Sequence, residues 1–179
     1  MHSIEPIVEK LARAQTIFFS AADTIPPEKW NSKRKLEEWS AAEIVAHLIM
    51  VERAVVGGAD RITQKAPKEI PFHKRFHLPL WLVEVRLVRR KSPLPLDPSL
   101  LGNKEEMLAE LRGARERTLS FLEETQQRDL SVYWWAHAFL GMLNVYQWFE
   151  MIAAHELRHT KQIKELAAHL PKAVENTQK

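Results

Sequence analysis

Apolar side chains recur at three- and four-residue steps in four separate segments, and that periodicity commits the chain to helices that must each bury one stripe. Two of the segments also announce their starts. In "WSAAEIVAHL" Ser40 stands three residues before Glu43, and in "LNVYQW" Asn144 stands three before Gln147, so both have the spacing of a capping box. Trp39 with Ile44, and Leu143 with Trp148, add the spacing of a hydrophobic staple. Four amphipathic helices can hide their stripes by covering one another, which predicts an all-α fold, a four-helix bundle.

The first helix is expected over about residues 3–22, with Ile4, Val8, Leu11, Phe18, Ala22 and Ile25 on its buried face and Pro26-Pro27 as its stop. The second starts after Ser40 and buries Ile44, His47, Leu48, Val51 and Val55, fading near Gly57-Gly58. The third starts at Asn103, with Glu106 at the box position, and runs to about residue 127 on Met107, Leu111, Ala114, Thr118 and Leu122. The fourth runs from Asn144 to Leu170, before Pro171. Between the second and third lies a connector, residues 60–102, with six prolines and one short amphipathic stretch, "LWLVEVRLVRR", read as helical. It is long enough to cross the bundle, so helices 2 and 3 are expected to run parallel. "SVYWWAHAFLGML" reads as a turn, and no stretch alternates long enough to argue for a sheet. Residues 1–170 are expected to form a single domain, and residues 171–179 a polar tail.

Composition narrows the chemistry. Among 179 residues there is no cysteine, which excludes disulfides, thiolate ligands and a protein-borne thiol nucleophile; a metal here must take His, Asp or Glu. No apolar run is long enough for a membrane span and the N-terminus lacks a signal-peptide pattern, so a soluble cytoplasmic protein is expected. The net charge of +3 is uneven: residues 61–91 hold nine Lys/Arg against Glu69 and Glu84. A solvated basic face is the first reading of that segment and an anion-binding rim the second. Nucleic acid is not expected as a partner, because no aromatic-interleaved basic motif accompanies the charge.

The functional signal is histidine where apolar residues belong. The last stripe reads Trp148, Ile152, His155, His159, Ile163 (or Gln162), Leu166, Leu170, and His47 falls inside the second stripe in the same way. Buried imidazoles need partners for their ring nitrogens. A lone core histidine is usually hydrogen-bonded, but two at i and i+4 with a third on a facing helix can share one divalent ion. "HELRH" also fits the HExxH protease pattern; position 162 is Gln rather than Gly, and neither His169 nor Glu175 stands where a third protease ligand belongs, which argues against it. Glu156 is expected to face solvent or to stand behind the ligands, and Glu43 to serve the capping box rather than orient His47. His73 and His77 read as an exposed loop pair, and His137 as a residue of the turn with a place at a pocket rim.

"WSAAEIVAHL", "HAFLGMLNVYQW" and "HELRHTKQI", taken in order, resemble the DinB/YfiT-like superfamily of metal-binding four-helix bundles. The resemblance covers the chain from the first helix to about residue 170. One position departs: Ala138 follows His137 where the family often has proline. The resemblance implies an up-down-down-up topology, a divalent metal held by His47, His155 and His159, and a homodimer. It also implies thiol-dependent S-transfer or isomerisation, or metal-dependent hydrolysis, on a small-molecule substrate. Three neutral imidazoles leave a position for water or for a thiol sulfur, and the absence of cysteine fits a thiol cosubstrate brought from outside. S-transfer is therefore favoured over hydrolysis, with a non-catalytic metal- or ligand-binding stress-response bundle as the alternative from another class. Imidazole ligands suit several ions; Zn or Ni is expected first, Fe or Mn next.

Overall fold

The computed structural model describes residues 3–84 and 96–170. Four long helices dominate it: α1 (Glu5–Asp23), α2 (Ala41–Thr63), α4 (Lys104–Glu124) and α5 (Val145–His169), with a one-turn α3 (Trp81–Glu84) in the connector. Both capping boxes form. Ser40 Oγ accepts from the Glu43 N–H at 3.2 Å while the Ser40 N–H donates to Glu43 Oε2 at 2.8 Å. Asn144 and Gln147 exchange the equivalent pair at 2.9 Å each. Asn103 Oδ1 accepts from the Glu106 N–H at 2.9 Å, so α4 starts at its expected cap as well. These contacts satisfy backbone donors that a helix leaves open at its first turn.

Most helix boundaries fall within a few residues of expectation, and α2 is the exception. It continues through Gly57-Gly58 to Thr63 because Val55, Ala59 and Thr63 are still buried and Gly58 lies against the Trp135 ring. Tertiary contact there outweighs the helix-weakening effect of two glycines. Of "LWLVEVRLVRR", Trp81–Glu84 is helical as expected, and residues 85–90 lie outside the described residues, as does the tail at 171–179.

The Trp-rich segment expected as a turn is a β-hairpin. β1 (Trp134–His137) and β2 (Gly141–Asn144) pair antiparallel, with Trp134 opposite Asn144 and His137 opposite Gly141. Four-residue strands are too short to show a readable alternation. Connector residues add to the outer edge of β2: the Met142 N–H donates to the Phe76 carbonyl at 3.2 Å, and the Leu78 N–H to the Leu140 carbonyl at 2.8 Å. At Gly141 the chain has φ of +94°, and a Cβ there would stand 2.6 Å from the Phe76 carbonyl oxygen, so both conformation and space demand glycine.

Two hydrophobic cores form, each fed by all four long helices. One gathers Phe18 and Ala22 from the end of α1, Ile44 and Ile49 from the start of α2, Met107 and Leu111 from the start of α4, and Ile163 and Leu166 from the end of α5. The other gathers Leu11 and Ala14, Val55 and Ala59, Leu122, and Phe149 and Ile152 from the opposite ends. Buried polar side chains lie between them in sequence on three helices: Glu52 on α2, Arg115 and Thr118 on α4, and Glu156, His159 and Thr160 on α5. Short α3 packs on α5, where Lys161 Nζ donates to the Glu84 carbonyl at 2.9 Å.

Candidate metal centre

His47 sits one helical turn into the apolar stripe of α2, and His155 and His159 share one face of α5 because four residues return a helix to nearly the same azimuth. The packing of α2 on α5 brings the three rings together. His155 Nε2 is 3.2 Å from His47 Nε2 and 3.1 Å from His159 Nε2, and one ring nitrogen from each of the three lies within 4.8 Å of the others. Ring centroids are 4.5 to 5.1 Å apart. His47 and His159 are buried, while His155 keeps partial access to solvent.

Hydrogen bonding alone does not satisfy this cluster. His155 Nε2 faces two nitrogens, yet a neutral ring nitrogen has either one proton to give or one lone pair to share. His159 donates from Nδ1 to Gln162 Oε1, which leaves the Nε2 lone pair turned toward its neighbours. His47 Nδ1 is buried without a hydrogen-bond partner among the described residues. Protonation is not a way out, because burial and mutual repulsion disfavour charge. Burial holds His47 down to about 4; burial first, then the neighbouring histidines and Arg158, holds His155 and His159 well below the ordinary value of 6.5. What remains is three lone pairs converging. Tetrahedral zinc–imidazole bonds of about 2.0 to 2.1 Å put ligand nitrogens roughly 3.3 Å apart, close to the separations found. The residues present therefore fit a divalent ion.

The surroundings are partly as expected. Gln162 serves His159, and Ile163 instead fills the core, so both alternatives at that point of the stripe have a use. Glu43 is occupied by the capping box and by Lys33 Nζ at 2.7 Å. Trp39, expected only as a staple, lies over the imidazoles: its ring is 4.9 Å from that of His47 and nearly parallel to that of His159 at 6.0 Å. His77 is not simply exposed. Gln147 Nε2 donates to its Nε2 at 2.7 Å, while His73 stays exposed in the connector. His137 closes β1, where its Nδ1 accepts from the Phe139 and Leu140 N–H groups at 3.1 and 3.2 Å.

Glu156 does not face solvent. It is 1% exposed, and its Oε2 accepts from Arg115 Nη2 at 3.0 Å. Arg115, itself 2% exposed, also binds Glu52 through Nε at 2.6 Å and the Leu11 carbonyl through Nη1 at 2.6 Å; Thr118 Oγ1 donates to Glu52 at 2.7 Å. Two carboxylates share one guanidinium here. Burial pushes the Glu156 carboxyl up to about 7 against the pull of Arg115, and its Oε1 has no partner among the described residues. Glu52 and Arg115 were legible by the same test that picked out His47. Each is a charged residue at a core position, Arg115 between Leu111 and Leu122 and Glu52 between Leu48 and Val55.

A helical protein with three imidazoles meeting between two of its long helices belongs to the class of histidine-site helical proteins able to hold one divalent ion. Residues 10–163 match the DinB superfamily, and the chain belongs to that superfamily. It is also similar to the Uncharacterized protein YuaE of Bacillus subtilis (strain 168), 29% identical over 149 residues, covering 82% of this chain and 88% of that protein.

Proposed function

We propose that this chain is a divalent-metal-dependent enzyme of the DinB type, acting on a small-molecule substrate with thiol S-transfer preferred to hydrolysis, and that His47, His155 and His159 are its metal ligands. The observation that carries the reading is the convergence of three imidazoles, with His155 Nε2 3.2 and 3.1 Å from the Nε2 atoms of His47 and His159 and one ring nitrogen of each within 4.8 Å of the others, an arrangement that hydrogen bonds among themselves leave unsatisfied. A divalent ion in such a site supplies Lewis acidity, which favours the thiolate of a bound thiol or activates water. The chain's own contribution is orientation and exclusion of water. Gln162 fixes the His159 tautomer, Trp39 shields the two buried rings, and burial keeps all three imidazoles neutral and ready to donate lone pairs. Because the chain has no cysteine, the sulfur of an S-transfer has to come from a cosubstrate. Zn or Ni is the preferred ion, with Fe or Mn next.

The same reading takes residues 1–170 as one domain, a four-helix bundle of up-down-down-up topology, cytoplasmic and homodimeric. The sharing of core residues supports the topology: the end of α1 meets the starts of α2 and α4 and the end of α5. No described helix is long and apolar enough to cross a membrane. Elemental analysis of untagged protein tests the site, with about one ion per chain expected in the wild type and none in His159→Ala. Conjugation of a thiol to an electrophile tests the chemistry. Bound metal with no turnover would favour the non-catalytic binding bundle.

A further inference from the structure

His137 is half-buried, and the two sides of its ring are used unequally. Nδ1 is committed as an acceptor to the Phe139 and Leu140 N–H groups, so in the neutral ring the proton sits on Nε2. Nε2 has no partner among the described residues, nor is it one of the fully buried, unsatisfied atoms. It is a donor held ready on the far side of the ring from the turn. The ring packs 5.0 Å from Trp148, on the stripe of α5 that continues to Ile152 and His155, and Trp148 stacks at 4.7 Å on Trp135. His137 is close enough to His155 for the two rings to interact electrostatically, and Arg158 stands near both His155 and His159. The Arg158 guanidinium adds positive potential beside the cluster, which favours an anionic group there.

We infer that His137 is a substrate-contacting residue, whose Nε2–H donates to a carboxylate carried by the small molecule that reacts at the His47, His155 and His159 cluster. The inference rests on the metal-dependent thiol reading above and adds to it a specificity contact. A fixed N–H donor gains most from an ionised acceptor, and the hairpin turn holds the ring so that little freedom is lost on binding. Two substitutions separate this role from a structural one. Asn in His137→Asn keeps a side-chain acceptor near the Nδ1 position for the turn and deletes the Nε2 donor, whereas His137→Gln keeps a donor near Nε2.

The experiment titrates the Co2+-loaded full chain with 3-mercaptopropionate and with its uncharged counterpart 3-mercaptopropanol, following the Co2+ absorption spectrum. The spectrum before thiol addition tests the metal reading by itself. The expected result is that wild type prefers the acid by about tenfold, that His137→Asn loads Co2+ normally but loses the preference, and that His137→Gln retains part of it. An undiminished preference in His137→Asn, or equal binding of both thiols by the wild type, overturns the proposal. A loaded site that responds to neither thiol overturns it together with the thiol chemistry, while leaving the metal site standing.

Discussion

At the scale of single residues, the metal-free histidine cluster makes acid stability a direct readout of burial. The folded-state pKa of His47 is lowered to about 4 from 6.5, so between those values the unfolded chain binds more protons than the folded one. Stability from this group is fully present above 6.5 and is lost as pH falls through that window to about 4; His155 and His159 act with the same sign. Glu156 acts oppositely, its folded carboxyl being raised from 4.5 to about 7, so its contribution is lost as pH rises across that range. Urea unfolding of chelator-treated protein from pH 7.5 to 4 should show Glu156→Gln losing stability more steeply toward acid than wild type. Parallel profiles would mean that Glu156 does not titrate there. Arg115→Ala strands Glu52 and Glu156 in a buried site without their shared cation, and should cost about 3 to 5 kcal/mol in the same assay at neutral pH. Joint replacement of all three charges by apolar residues of similar volume should cost far less.

Among the elements, the glycines divide by conformation. Gly141 holds φ of +94° with the Phe76 carbonyl oxygen against its Cα, so Gly141→Ala strains the hairpin and pushes the connector off the edge of β2. A loss of at least about 1 kcal/mol is expected, with proteolysis at residues 72–81 accelerating first. Gly113 is a control within α4: nothing lies within 4 Å of a Cβ placed there, so Gly113→Ala should stabilise by roughly 0.5 to 1 kcal/mol. Thermal unfolding of the two variants side by side gives opposite signs. The helices themselves were readable because caps are local chemistry: Ser40 with Glu43 and Asn144 with Gln147 act within one turn, and both boxes form. The hairpin was not, because its strands owe their pairing partly to residues 76–78, more than 60 positions earlier in the chain.

For the whole molecule, an ion held between two helices, as proposed, would couple metal occupancy to stability. An ion that binds only the folded chain raises its stability by RT ln(1 + [L]/Kd), so free Zn2+ or Ni2+ at 100-fold over Kd should add about 2.7 kcal/mol. Tm should rise with added metal and fall with chelator in wild type. In His47→Ala it should respond to neither, and a metal-dependent Tm persisting in that variant would place binding elsewhere. The sequence alone determined the four long helices, their starts, and the three histidines set into apolar stripes, since stripe membership depends only on spacing along one helix. It also pointed to the superfamily. Tertiary structure alone decided that the three Nε2 atoms meet, that Trp39 covers them, and that Glu156 turns inward to Arg115 rather than out to water. Those outcomes turn on which helix faces which, and the direction of Glu156 is set by a guanidinium on α4 that no local pattern on α5 records.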